Sequence, residues 1–195
     1  MDIVRKRWRW LGAVCALAGV GVFALPAASQ GATTASVTLS AGSLAFINST
    51  PAATLTFPAT TLNGTNQTIT STLAFDIGDA TGSGSGWNVT ATSTTFTSGA
   101  HTLPTTSTTV ASTPTATCDV GATGCTTATN TVTYPYTLPA ATTAPTATKL
   151  FDASANTGMG DQSFTPTWTL AIPANAVASG TAYTSTWTFS LVSGP

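Results

Sequence analysis

In each of two arms between Phe164 and Leu191 the bulky side chains fall on every second position, and Thr, Ser or Ala fills the gaps. A two-residue period belongs to a strand with one buried face; an amphipathic helix repeats at three and four. The first arm is Phe164-Thr-Pro-Thr-Trp168-Thr-Leu170-Ala-Ile172 and the second is Tyr183-Thr-Ser-Thr-Trp187-Thr-Phe189-Ser-Leu191. The turn-rich Pro173 to Gly180 separates them. This spacing predicts a terminal hairpin. Thr-Trp-Thr in both arms predicts that two indoles enter one core.

The same period recurs upstream. Val37-Thr-Leu39 and Leu44-Ala-Phe46 flank Ser40-Ala-Gly-Ser43 and read as strand, turn, strand; Leu55-Thr-Phe57 continues the alternation. Ile69 to Ile77 keeps one face apolar, and Trp87-Asn-Val89-Thr-Ala91 resumes after a Gly-rich connector, which predicts a long hairpin over 68–92. Val132-Thr-Tyr134-Pro-Tyr136-Thr-Leu138 is a further strand, at an edge or a bulge because Pro135 cannot donate to a ladder. Thr- and Pro-rich loops are expected at about 97–131 and 139–148. The fold class that follows is all-β, an antiparallel β-sandwich or barrel-like domain after an N-terminal signal helix.

The signal reading rests on the first residues. Arg5, Lys6, Arg7 and Arg9 supply four of the five basic residues of the chain. An uncharged run from Leu11 to Leu25 follows, and then Pro26-Ala-Ala-Ser29. This is the layout of a secretory signal peptide over 1–29, with cleavage expected at about 29–32. The exported part keeps Lys149 against Asp76, Asp79, Asp119, Asp152 and Asp161, a net charge of −4. So few cations cannot grip a phosphate backbone, which excludes nucleic acid as a partner. After cleavage no segment is long and apolar enough to hold a membrane. Cys118 and Cys125, in an exported chain and with two glycines between them, predict a disulfide closing a short loop.

Two stretches resemble the signatures of the WxL domain family. Asp76-Ile-Gly-Asp79-Ala-Thr-Gly-Ser-Gly-Ser-Gly86-Trp87-Asn-Val89-Thr is similar to the first: a strand ending at Asp, a Gly-rich turn, and a Gly-Trp-x-hydrophobic strand. Tyr183-Thr-Ser-Thr-Trp187-Thr-Phe189, close to Gly194-Pro195, is similar to the second, Trp-x-Leu near the C-terminus. Trp168 to Pro173 falls where the family has its penultimate strand, and Val89 and Phe189 stand where it prefers Leu. The resemblance implies one WxL-like β domain over 33–195. It also implies an exported bacterial surface protein that associates non-covalently with the cell wall. The motif positions it marks as binding candidates are Trp87, Val89, Trp187 and Phe189. Each shares a strand face with other bulky residues, so the pattern itself places all four in the core.

Catalytic chemistry is not legible. His101 is the single histidine and belongs to a Ser/Thr-rich loop, with no nucleophile elbow or orienting carboxylate flagged nearby. The aspartates lie mostly beside glycines, where they suit turn capping more than paired acid and base work. Asp76, Asp79 and the Thr81 hydroxyl could offer oxygens to Ca²⁺, but EF-hand spacing and a bidentate Glu are missing. No cofactor and no enzymatic activity are expected. The expected function is a secreted, non-catalytic surface protein that binds peptidoglycan, its partners being the cell-wall polymer or other surface proteins. The alternative is a structural subunit that assembles through sheet edges, since the long Thr-rich strands carry almost no guarding charge.

Overall fold

A computed structural model describes residues 31–195, and the signal-peptide expectation for 1–29 lies outside them. The compact body runs from Leu39 to Pro195. Among the described residues there are fourteen strands and no helix. In chain order they are β1 (Leu44–Phe46), β2 (Gln67–Thr72), β3 (Phe75–Asp79), β4 (Trp87–Thr94), β5 (Thr97–Ser98) and β6 (His101–Thr102). Next come β7 (Thr108–Val110), β8 (Ala116–Cys118), β9 (Tyr136–Thr137), β10 (Ala140–Ala141) and β11 (Thr148–Ala153). The last three are β12 (Gly160–Phe164), β13 (Thr167–Ile172) and β14 (Trp187–Ser193).

These strands form three four-stranded sheets and the small β5–β6 hairpin. One sheet has the order β1-β3-β12-β8 and another β2-β13-β7-β9. In the third, β4 is central, with β14 along one side and β11, then β10, along the other. All pairings are antiparallel except β10 with β4.

Both hairpins expected from the sequence are absent. The run from Ile69 to Ile77 divides into β2 and β3, which lie in different sheets. Strand β4 pairs with β14, β11 and β10, not with either of them. The terminal arms separate in the same way: β13 pairs with β2 and β7, whereas β14 pairs with β4. Alternation fixes which face of a strand is buried but says nothing about its hydrogen-bonding neighbour. The meeting of the two indoles does occur, between sheets instead of within a hairpin. The Trp168 and Trp187 rings cross at 60° with centroids 4.8 Å apart.

Other segments also depart from the simple reading. Val37 and Leu39 lie in no strand and are 83% and 87% exposed. Leu55 and Phe57 are likewise outside strands but pack on the core. Of Val132 to Leu138 only Tyr136–Thr137 is a strand, β9, and it occupies a sheet edge. The region 97–131 contains the short strands β5 to β8 as well as loops.

Where the sheets face one another, their aromatic rings form a continuous path. Trp87 adjoins Phe151 at 6.0 Å, Phe151 stacks on Phe164 at 4.1 Å, and Phe164 stacks on Phe75 at 5.0 Å. Phe189 meets Phe75 edge-on at 4.9 Å, and Trp187 lies 6.2 Å from Phe189. The path therefore joins one tryptophan signature to the other through rings of two sheets, and reaches the third at Trp168. Aromatic pairs of this kind contribute about 0.5–1.5 kcal/mol each beyond their burial.

Candidate functional site

The two signatures lie on neighbouring, hydrogen-bonded strands. Register places Ser193 opposite Trp87, Leu191 opposite Val89, Phe189 opposite Ala91 and Trp187 opposite Ser93. Trp87 and Val89 are completely buried, while Trp187 and Phe189 are half-buried and pack against the core cluster. The Trp87 indole donates from Nε1 to the carbonyl of Gly158 at 2.8 Å. Two glycines make room for it. A Cβ on Gly158 would stand 2.6 Å from Trp87 Nε1 and 2.4 Å from the Ala153 Cβ. A Cβ on Gly86 would stand 2.2 Å from the Ala153 carbonyl oxygen, and both glycines have positive φ, 74° and 75°. The Gly-Trp pair of the first signature is thus a packing device: the glycine lets β4 start against β11, and the indole fills the core.

The Asp-to-Gly stretch before Trp87 also has structural work. Asp79 Oδ1 accepts from the Thr81 amide at 3.0 Å and from its hydroxyl at 2.7 Å, a local cap that shapes the turn. Asp76 and Asp79 are three residues apart on one strand and so face opposite sides of it. The structure does not bring the pair together as a Ca²⁺ site. Among the described residues no group of three or more His, Cys, Asp or Glu is placed to hold a metal ion.

Asp76 is 9% exposed, and its Oδ2 accepts from Asn48 Nδ2 at 2.5 Å while Oδ1 is buried without a partner. Burial raises its carboxyl above the ordinary carboxylate range; the Asn48 bond lowers it, and Asp119 and Asp161 raise it again. Asp152, also buried, is fully occupied by the Thr131 amide and hydroxyl. Cys118 and Cys125 are joined in a disulfide, as their spacing predicts.

A concave surface among the described residues is bordered by none of Trp87, Val89, Trp187 and Phe189, although Tyr183, at the start of the second signature, is one of its walls. An open groove of about 390 Å³ runs between the β5–β6 hairpin and the segment 173–183. His101 and Pro104 border it on one side, and Asn175, Val177 and Tyr183 on the other. A second hollow of about 220 Å³ continues it past Pro104 and Pro173 toward Asn66, Gln67 and Thr106. Hydroxyls hold the walls together. Buried Ser98 Oγ lies 2.5 Å from Ser179 Oγ and 2.6 Å from Thr181 Oγ1, and it donates to the Thr181 carbonyl at 3.1 Å. Thr97 and Thr184 exchange two backbone bonds of 2.9 Å, and the Tyr183 hydroxyl donates to the Val177 carbonyl at 2.8 Å. At the far end the Ala174 amide donates to Asn66 Oδ1, and Gln67 Oε1 is buried without a partner.

No Asp or Lys borders the groove at any point. His101, exposed on β6, therefore has no carboxylate within the groove to orient it as a base. What the surface offers is a phenol ring, an imidazole, amides and proline faces. That set suits a neutral chain bearing hydroxyl and amide groups. Sequence reading found His101 as an isolated residue but not the groove, because its walls come from segments some seventy residues apart.

No curated protein and no solved structure matches the chain. The family model described as "WxL domain surface cell wall-binding" matches residues 26–195, nearly the whole sequence. With both signatures found on paired core strands of one all-β body, the chain belongs to the WxL domain family and is a cell-wall-associated surface protein.

Proposed function

We propose that the protein is a non-catalytic adhesin that binds peptidoglycan non-covalently, with the polymer lying in the groove between His101 and Tyr183. The observation that carries this reading is the absence of charge along the groove, set beside membership of a cell-wall-binding family. An anionic wall polymer would need cations, and the exported chain has only Lys149, which is exposed on β11 and does not border the groove. Charge thus favours the neutral glycan and its N-acetyl groups over a polyphosphate. The rigid, hydroxyl-pinned walls reduce the ordering cost of binding a long flexible ligand.

The test is co-sedimentation of the purified exported chain with isolated sacculi, before and after their anionic polymers are stripped. Retention on both preparations is expected. A protein left in the supernatant would overturn the adhesion reading, and retention lost on stripping would overturn peptidoglycan as the ligand. The variants His101→Ala and Asn175→Ala change exposed groove residues and are expected to lower retention at unchanged melting temperature.

A further inference from the structure

The second tryptophan signature sits on a sheet edge that no strand hydrogen-bonds, although β1 packs close to β14. In the ladder between β14 and β4, the Thr94 amide donates to the Thr186 carbonyl and the Gly194 amide to the Gly86 carbonyl. Even-numbered residues of β14 therefore spend their backbone groups on β4. The N–H and C=O groups of Trp187, Phe189, Leu191 and Ser193 point the other way, where no strand pairs with them. Natural edges are guarded by charge, proline or a bulge. Residues 174–194 contain no charged residue and no proline, and the β14–β4 register runs without a shift. The inward side chains of this edge, Trp187, Phe189 and Leu191, are each only half-buried.

A matching strand exists in the chain but is unused. Ala35-Ser-Val37-Thr-Leu39-Ser has the two-residue period of a strand, yet it forms none and leaves Val37 and Leu39 exposed. No charge occurs from 31 to 47, so nothing repels this segment from the equally uncharged edge. After the expected cleavage it becomes the N-terminal arm of the exported chain. We propose that residues 35–41 of one copy add as a strand to the open edge of β14 in a second copy. The pairing satisfies the outward backbone groups and seats Val37 and Leu39 beside the half-covered Trp187, Phe189 and Leu191. Arm and edge are different surfaces, so the contact is head-to-tail and extends into a chain of subunits. This assembly goes beyond wall adhesion and does not depend on it.

Sedimentation velocity of the purified exported chain across a hundredfold range of concentration tests the proposal. Wild type is expected to shift to faster-sedimenting species as concentration rises. The double variant Val37→Asp/Leu39→Asp, altered only at exposed residues, is expected to remain monomeric at an unchanged melting temperature. A synthetic peptide of residues 33–41 is expected to bind that monomer and to dissolve wild-type assemblies. A wild-type chain that stays monomeric throughout would overturn the proposal, whether its edge is empty or covered by another partner. So would a double variant that assembles as wild type does.

Discussion

Trp87 and Trp187 carry similar signatures on adjacent strands, yet they occupy opposite kinds of position. Trp87 lies on a strand paired on both sides, is fully buried, and has its indole N–H bonded to Gly158. Trp187 lies on a strand paired on one side and is half-buried against Trp168 and Phe189. The first signature locks the middle of a sheet. The second completes the core from an edge that no strand pairs. A short motif therefore identifies two places in the fold without giving them the same duty.

The difference can be broken open by mutation, beginning with the largest effect. Trp87→Ala is expected to cost about 3–5 kcal/mol, since it empties a buried indole site and strips the Gly158 carbonyl of its donor. Gly158→Ala attacks the same site from the other side and is expected to cost about 2–3 kcal/mol in chemical unfolding, through overpacking and a strained positive φ. Trp187→Ala should cost less, about 2 kcal/mol, because solvent already reaches part of the ring. Equal losses at the two tryptophans would erase the distinction between locked and open strands.

The smallest effect tests the buried carboxyl of Asp76 and has the opposite sign. A carboxyl raised in the folded state stabilises most when protonated, and that contribution is lost as pH rises through its folded value. Wild type should therefore gain stability from Asp76 as pH falls from neutral into the raised carboxylate range. Asp76→Asn should be more stable than wild type at neutral pH, and thermal melts across pH should show a flatter profile for the variant. A variant less stable at neutral pH would mean that the Asn48 bond outweighs burial and the repulsion from Asp119 and Asp161.

Much of the fold was legible because alternation survives wherever one strand face is buried. It marked β1, β2, β3, β4, β13 and β14 and placed their aromatic residues inward. It failed on β11, where Leu150 and Phe151 are adjacent and a register shift between Lys149 and Phe151 interrupts the period. It failed on β12 too, where the inward residues include Gln162, fully buried with Oε1 bonded to the Ala128 amide. Pairing was beyond it throughout, since partners of β4 come from positions as distant as Trp187 and Thr148. The disulfide was readable because both cysteines belong to one short loop. The groove was not, because it has no motif and exists only once Ser98 has drawn Ser179 and Thr181 to the β5–β6 hairpin.

We propose that the tryptophan signature builds the domain and that the groove, not the indole, meets the wall. The most direct test is Trp87→Ala, followed by thermal melting and by retention on isolated sacculi at a temperature where the variant is still folded. A lowered melting temperature with retention intact in the folded protein is the predicted result. A wild-type melting temperature with retention lost would make the Trp87 indole a contact for the polymer and contradict the account.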